Sequence, residues 1–251
     1  MSVTDLVLVA VAFIAGAQNA LAGGGSFITF PALLFAGLDP RAANITSAIA
    51  LFPGQLTTGL AGRSLVRGVM GLSVRALILI SLAGGGVGAV LLLATPVALF
   101  THLVPFLVLF ATVVFAWGSF WRKARPEHAK PALSPRTAAV MQFFIAVYGG
   151  YFGGGIGILM LATLTAAGLV VRHAGATKNV LAGVCNAAAV LLFIWETKVD
   201  WHIVLLVGIA AIAGGQLGVY LLRRINETFL RLAITGIGVL LTIGLFIRAS
   251  L

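Results

Sequence analysis

The amino-acid sequence predicts an all-α polytopic membrane protein made of two inverted repeats, each a glycine-broken re-entrant helix hairpin followed by three transmembrane helices. Three observations carry this prediction. Hydrophobic residues make up 61% of the 251 positions and charged residues only 9%, against roughly a quarter charged in an ordinary soluble domain, which excludes a soluble core. Uncharged runs of 33 residues between Asp5 and Asp39 and of 35 between Arg136 and Arg172 exceed the ~20 residues that one span requires. A glycine triplet interrupts each run, at Gly23-Gly24-Gly25 and at Gly153-Gly154-Gly155, an offset of 130 positions.

Charged and turn residues mark the elements in order. The first repeat, residues 1–121, reads as a hairpin over 6–38 and spans over 44–62, 76–94 and 99–121. Residues 122–136, with Arg122, Lys123, Arg125, Pro126, Pro131 and Pro135, read as a cytoplasmic linker. The second repeat, residues 137–251, has a hairpin over 137–168 and spans over 176–195, 203–222 and 232–247. Each hairpin segment is too long for one crossing, because about 33 helical residues measure ~50 Å against a hydrocarbon core of ~30 Å. A helix breaks inside a bilayer only where its freed backbone groups face protein or a polar cavity, and such places are usual binding sites.

Loop charges distinguish two topologies. If the long segments each crossed once, the Lys and Arg residues would divide ten to six between the two sides. If each segment enters and returns, thirteen share one side and only Arg41, Lys198 and Arg248 face the other. Basic loops stay in the cytoplasm, so hairpins are expected, with the two halves oppositely oriented. Duplication has independent support, since Ala83–Leu92 and Ala213–Leu222 agree at six of ten positions with the same offset of 130. Their Gly84/Gly88 and Gly214/Gly218 spacings suit close helix packing.

The net charge of +10 follows from the same loops and does not call for nucleic acid. Ala20-Leu21-Ala22-Gly23 looks like a cleavage site, but no basic residue precedes it, so the segment is read as retained. The single cysteine, Cys185, permits no internal disulfide.

The first half carries its glycine triplet, then Pro31, Gly37-Leu38-Asp39-Pro40 and Ala43-Asn44-Ile45-Thr46-Ser47. In this it resembles the TauE/SafE family of sulfite exporters. The second half repeats the pattern in its triplet, Gly168, Arg172, Ala174, Thr177, Lys178 and Asn179, with Leu161 in place of Pro31 and Lys178 in place of Ser47. The resemblance covers nearly the whole chain. It implies a secondary transporter, with no cofactor, that exports a small anion across the bacterial inner membrane. The anion would be sulfite or a related organosulfur or carboxylate species, moved by alternating access with a coupling proton or ion.

The residues suit that chemistry. A helix restarting after a glycine break presents uncapped N–H groups and a partial positive charge, which favour an anion. Substrate-binding candidates are therefore Gly23, Gly24, Gly25 and Ser26 in the first break and Gly153, Gly154 and Gly155 in the second, where Ile156 and Gly157 open the next half-helix. Asn44, Thr46 and Ser47, with Thr177, Lys178 and Asn179, add donors at matched positions. Thr and Ser there serve equally as helix N-caps. An ionisable residue inside a membrane segment tends to mark function, although Lys178 at a helix end also suits an interfacial position. Asn19, Gln18, Gln142, Tyr148, Asn186 and Gln55 suit either the cavity or interhelical hydrogen bonds.

Absences narrow the function. All six acidic residues fall at segment ends or in loops, which argues against a buried carboxylate relay or cation site. The four histidines also lie at edges, with no His-Glu-x-x-His motif, no cysteine pair and no metal-ligand spacing. His173, beside Arg172, suits an interfacial position. No nucleophile and base share a membrane depth, so an intramembrane enzyme is a distant rival. An anion channel of the same architecture is the nearer one, separated by whether flux saturates and shows counterflow.

Overall fold

The computed structural model of the protein describes residues 2–21, 24–69, 71–121, 132–218 and 227–250. Gly23, linker residues 122–131 and the end of the expected 203–222 span lie outside the described residues. The rest is helical, without a strand among the described residues. In chain order the helices are α1 (Val3–Leu21), α2 (Ser26–Phe35), α3 (Pro40–Ala61), α4 (Val74–Ala94) and α5 (Val97–Ala116). There follow α6 (Pro135–Tyr151), α7 (Ile156–Ala166), α8 (Val171–Glu196), α9 (Trp201–Ala213) and α10 (Glu227–Ser250). The chain is thus an all-α membrane protein. Helices α4, α8 and the stretch Val97–Phe120 are long and apolar enough to cross a membrane.

Local chemistry sets the helix starts. Asp39 accepts from the Arg41 and Ala42 amides at 3.0 Å each, and Pro40 fills the first turn of α3, where its missing N–H is harmless. Ser73 caps α4 through the Ala76 amide at 3.1 Å, and Ser134 caps α6 through that of Thr137 at 3.1 Å. Thr46, Ser47 and Thr177 are therefore not caps: each sits inside a helix that begins a turn or more earlier. The expected 44–62 and 176–195 segments start at Pro40 and Val171 because charge marks the edge of the apolar layer, and the helix continues past it.

Both long segments break at their glycines. Gly24 has φ +89° and Gly155 φ +78°, conformations that side chains disfavour. Around the breaks the helices pack through bare backbone. A methyl on Gly84 of α4 would lie 2.7 Å from the Phe143 carbonyl of α6, and one on Gly214, just past α9, would lie 1.9 Å from the Phe13 carbonyl of α1. These two contacts relate α4 to α6 and α9 to α1 with partners exchanged at the same offset of 130.

Ends are tied as well. The Ala132 amide donates to the Ala166 carbonyl at 2.9 Å, drawing the approach to α6 against the end of α7. Helices α3 and α8 run antiparallel, since Gly62 faces Ala176 and Gly59 faces Asn179 and Val180. The end of α3 therefore lies beside the start of α8. At the opposite side Arg41, at the start of α3, donates to the Leu93 and Thr95 carbonyls at the end of α4, at 2.9 and 3.2 Å.

Candidate anion site

The two breaks meet at one cavity. It is lined by Asn19, Gly24 and Ser26 from the first break, Gly153, Ile156 and Gly157 from the second, Gln55 and Thr58 of α3, and Lys178, Asn179 and Ala182 of α8. The cavity measures about 30 Å³, room for roughly two ordered waters or an ion of similar bulk. Helical spacing explains the lining: Gln55 and Thr58 are three apart on one face of α3, as are Asn179 and Ala182 on α8. Asn19, Ser26, Gln55, Thr58, Gly153 and Asn179 are each half-buried.

Helices α2 and α7 both start at this cavity, with Gly25 and Gly155 in the cap position and no side-chain cap on either. Their dipole ends favour negative charge, while part of each first turn is already satisfied, the Phe27 and Ile28 amides donating to the Gly24 and Gly25 carbonyls at 2.9 and 3.0 Å and the Ile158 amide to that of Gly155 at 3.1 Å. Lys178 adds the decisive feature. Its side chain is 3% exposed, and no hydrogen bond or ion pair involves it among the described residues. Buried charges are ordinarily paired, so an unpartnered lysine on a polar cavity makes this a candidate anion site. The described residues include no cluster of groups able to hold a metal ion.

The sequence candidates divide in two. Asn19, Gly24, Ser26, Gly153, Lys178 and Asn179 line the cavity. Gly25 and Gly155 back it as helix caps, and the Asn19 carbonyl oxygen accepts from the Gly25 amide at 3.4 Å. The remaining candidates face elsewhere. The Ser47 hydroxyl lies 2.6 Å from that of Thr29, which in turn donates to the Gly25 carbonyl at 3.3 Å, so this pair braces the break from behind. Thr177 Oγ1 donates to the Arg67 carbonyl at 3.1 Å and accepts its amide at 3.0 Å, fastening the loop before α4 onto α8. Asn44 donates to the Tyr151 carbonyl at 3.0 Å. With Gly154 it lines a second hollow of about 10 Å³, walled by Phe27, Phe30 and Phe152. Thr46 is buried away from both hollows, and Gln142 donates to Ser81 at 2.9 Å.

Thr58 escaped the sequence reading, although its spacing from Gln55 was visible. Its hydroxyl donates to the Gly54 carbonyl at 2.8 Å, leaving lone pairs for the cavity.

Apolar helices around a polar cavity at two helix breaks define a multi-pass membrane protein of the transporter class. Within that class the chain belongs to the sulfite exporter TauE/SafE family, whose model matches residues 8–245. It is 30% identical over 227 residues to a "Probable membrane transporter protein" of Haemophilus influenzae, covering 90% of this chain and 88% of that one. It is 32% identical over 210 residues to "Probable membrane transporter protein ORF9" of Sinorhizobium sp, covering 82% and 78%. With "Probable membrane transporter protein YfcA" of Escherichia coli K12 it shares 26% over 227 residues, covering 90% and 83%.

Proposed function

We propose that this transporter is a secondary exporter of a small anion, sulfite or a related organosulfur or carboxylate species, across the bacterial inner membrane. The observation that carries the proposal is Lys178, a buried lysine without a partner among the described residues, on the cavity where α2 and α7 begin. A fixed charge with two helix N-termini holds an oxyanion without any cofactor.

In this reading residues 1–121 and 137–251 are inverted repeats, each a re-entrant hairpin and three spans, joined by a cytoplasmic linker at 122–136. The exchanged contacts Gly84–Phe143 and Gly214–Phe13 support the repeat, and the Ala132–Ala166 bond supports a hairpin that returns to its own side. The two hollows support alternating access. The Lys178 cavity has half-buried walls, whereas the hollow beyond the breaks is closed over by buried Phe27, Phe30 and Phe152. Rocking of one half against the other would reverse that pattern, driven by the gradient of the anion or of a coupling proton or ion.

Purified protein in liposomes, offered sulfite, thiosulfate, sulfoacetate, sulfate and small carboxylates, tests the proposal. Saturable uptake of at least one anion, with counterflow, is expected. No saturable anion flux across the panel would overturn it, and flux without saturation or counterflow would make the protein a channel.

A further inference from the structure

We infer that the anion this cavity takes is singly charged and still carries one acidic hydroxyl, a hydrogen oxyanion such as hydrogen sulfite rather than the fully deprotonated dianion. The inference rests on the anion-transporter reading above and names the ionic form that the same site accepts. Two lining side chains whose polarity the backbone fixes, and the charge beside them, carry it. Asn19 is the first. Its Oδ1 lies 3.4 Å from the Gly25 N–H, which can only donate, so the end left for the cavity is the Nδ2 donor. The bare Gly25 makes room for it, since a methyl there would lie 2.9 Å from Asn19 Cβ. Thr58 is the second. Its hydroxyl lies 2.8 Å from the Gly54 carbonyl, which can only accept, so its proton is committed along α3 and lone pairs are left for the cavity.

A ligand held between these two must meet a donor with an oxygen lone pair and an acceptor with a proton. A hydrogen oxyanion does both, whereas a dianion would set its own lone pairs against those of Thr58. Ser26, Gln55 and Asn179 offer a donor or an acceptor by rotation and suit either form. Charge points the same way. Among the described residues that line the cavity, Lys178 is the only charged or titratable group, so it balances one negative charge and a second would stay unpaired inside the membrane. The basic groups near the cavity mouth are engaged elsewhere: His173 of α8 bonds the Leu65 carbonyl at 2.8 Å, and Arg67 of the loop packed on α8 bonds the Ser64 and Val66 carbonyls at 3.0 and 2.9 Å. The absence of Asp and Glu from the described lining fits as well, because a proton that travels on the substrate needs no carboxylate relay.

Uptake of radiolabelled sulfite by proteoliposomes, followed across the pH range in which hydrogen sulfite loses its proton, is the test. In the wild type, KM for total sulfite should rise about tenfold per pH unit above that transition and stay within about twofold when expressed as hydrogen sulfite. Thr58→Val keeps the shape and removes the acceptor. It should raise KM about fivefold or more below the transition, as the ligand hydroxyl loses its partner, and should let KM level off above it, where the dianion now binds nearly as well. Thr58→Ser should restore both the low KM and the slope. Loss of a proton from Lys178 would act equally in wild type and Thr58→Val, so the same pH slope in the two would overturn the inference. Asn19→Asp keeps the bond to the Gly25 amide but turns an oxygen to the cavity, and should raise KM at least about tenfold at every pH with the slope unchanged; an unchanged KM would overturn the polarity assigned to Asn19. If Thr58→Val does not fold, Thr58→Ala with the same Ser comparison decides the matter. Saturable wild-type uptake with a KM that is flat or falls as pH rises removes this inference alone. Absence of saturable anion flux in the wild type removes the transporter reading and this inference with it.

Discussion

Lys178→Met removes a charge while keeping most of the stem, and two readouts should move in opposite directions. The Lys178 side chain is 3% exposed and lines the cavity without a partner among the described residues. A hydrogen bond from a charged donor contributes about 1.5–3 kcal/mol, so its loss should raise KM for the transported anion roughly 10- to 150-fold. Stability should improve instead. An unpaired buried ion carries an effective desolvation penalty of several kcal/mol, and each 1 kcal/mol recovered shifts Tm by about 2–4 °C in a chain of this size. Saturation curves in proteoliposomes give the first quantity, and tryptophan-fluorescence melting of the anion-free protein in detergent gives the second. Lys198→Ala is the control, because Lys198 is exposed between α8 and α9, and it should change neither. A KM for Lys178→Met within about threefold of wild type would refute the site, since a buried charged hydrogen bond is expected to contribute at least about 1.5 kcal/mol. A lowered Tm would refute the claim that the charge is unpaired.

The glycine pairs and the topology give further tests. Gly85→Ala should cost about 1–3 kcal/mol of stability through overpacking and lower Tm accordingly, because the added methyl would lie 2.4 Å from the Cys185 carbonyl. Its neighbour Gly86→Ala meets nothing within 4 Å and should be neutral or gain up to ~1 kcal/mol in helix propensity. Equal effects in thermal melts would contradict the packing. Gly155→Ala, at φ +78°, should cost about 1–2 kcal/mol of backbone strain and weaken anion flux by moving the start of α7; unchanged flux would remove that helix end from the site. Cysteines at Arg136 and Arg172, in a Cys185→Ala background, should both label from the cytoplasmic side, with a cysteine at Lys198 labelling from the other. Labelling of Arg136 and Arg172 positions from opposite sides would overturn the hairpins.

The breaks were legible because they rest on a backbone requirement that the sequence writes openly. A triplet of glycines in an apolar run too long for one span has few alternatives, and α2 and α7 do begin just past Gly25 and Gly155. Lys178 was legible only in part, since a charge in such a segment needs either an interface or a ligand, and its 3% exposure supports the proposed ligand. Thr177 and Ser47 were misleading because a hydroxyl looks the same in sequence whether it meets a ligand or a backbone carbonyl from a distant loop. Only the fold brings Arg67 to Thr177 and Thr29 to Ser47. Asn186 and Gln55 lie 131 residues apart, so their bond had no local signature at all. The matched positions of the two halves also concealed a division of labour. Lys178 stands where the first half has Ser47, and the structure turns that difference into one residue facing the cavity and another bracing the break from behind. Duplication thus predicts where paired elements fall but not which copy faces the cavity. In the proposed site one cavity needs one charge, which would leave the Ser47 copy free to be structural.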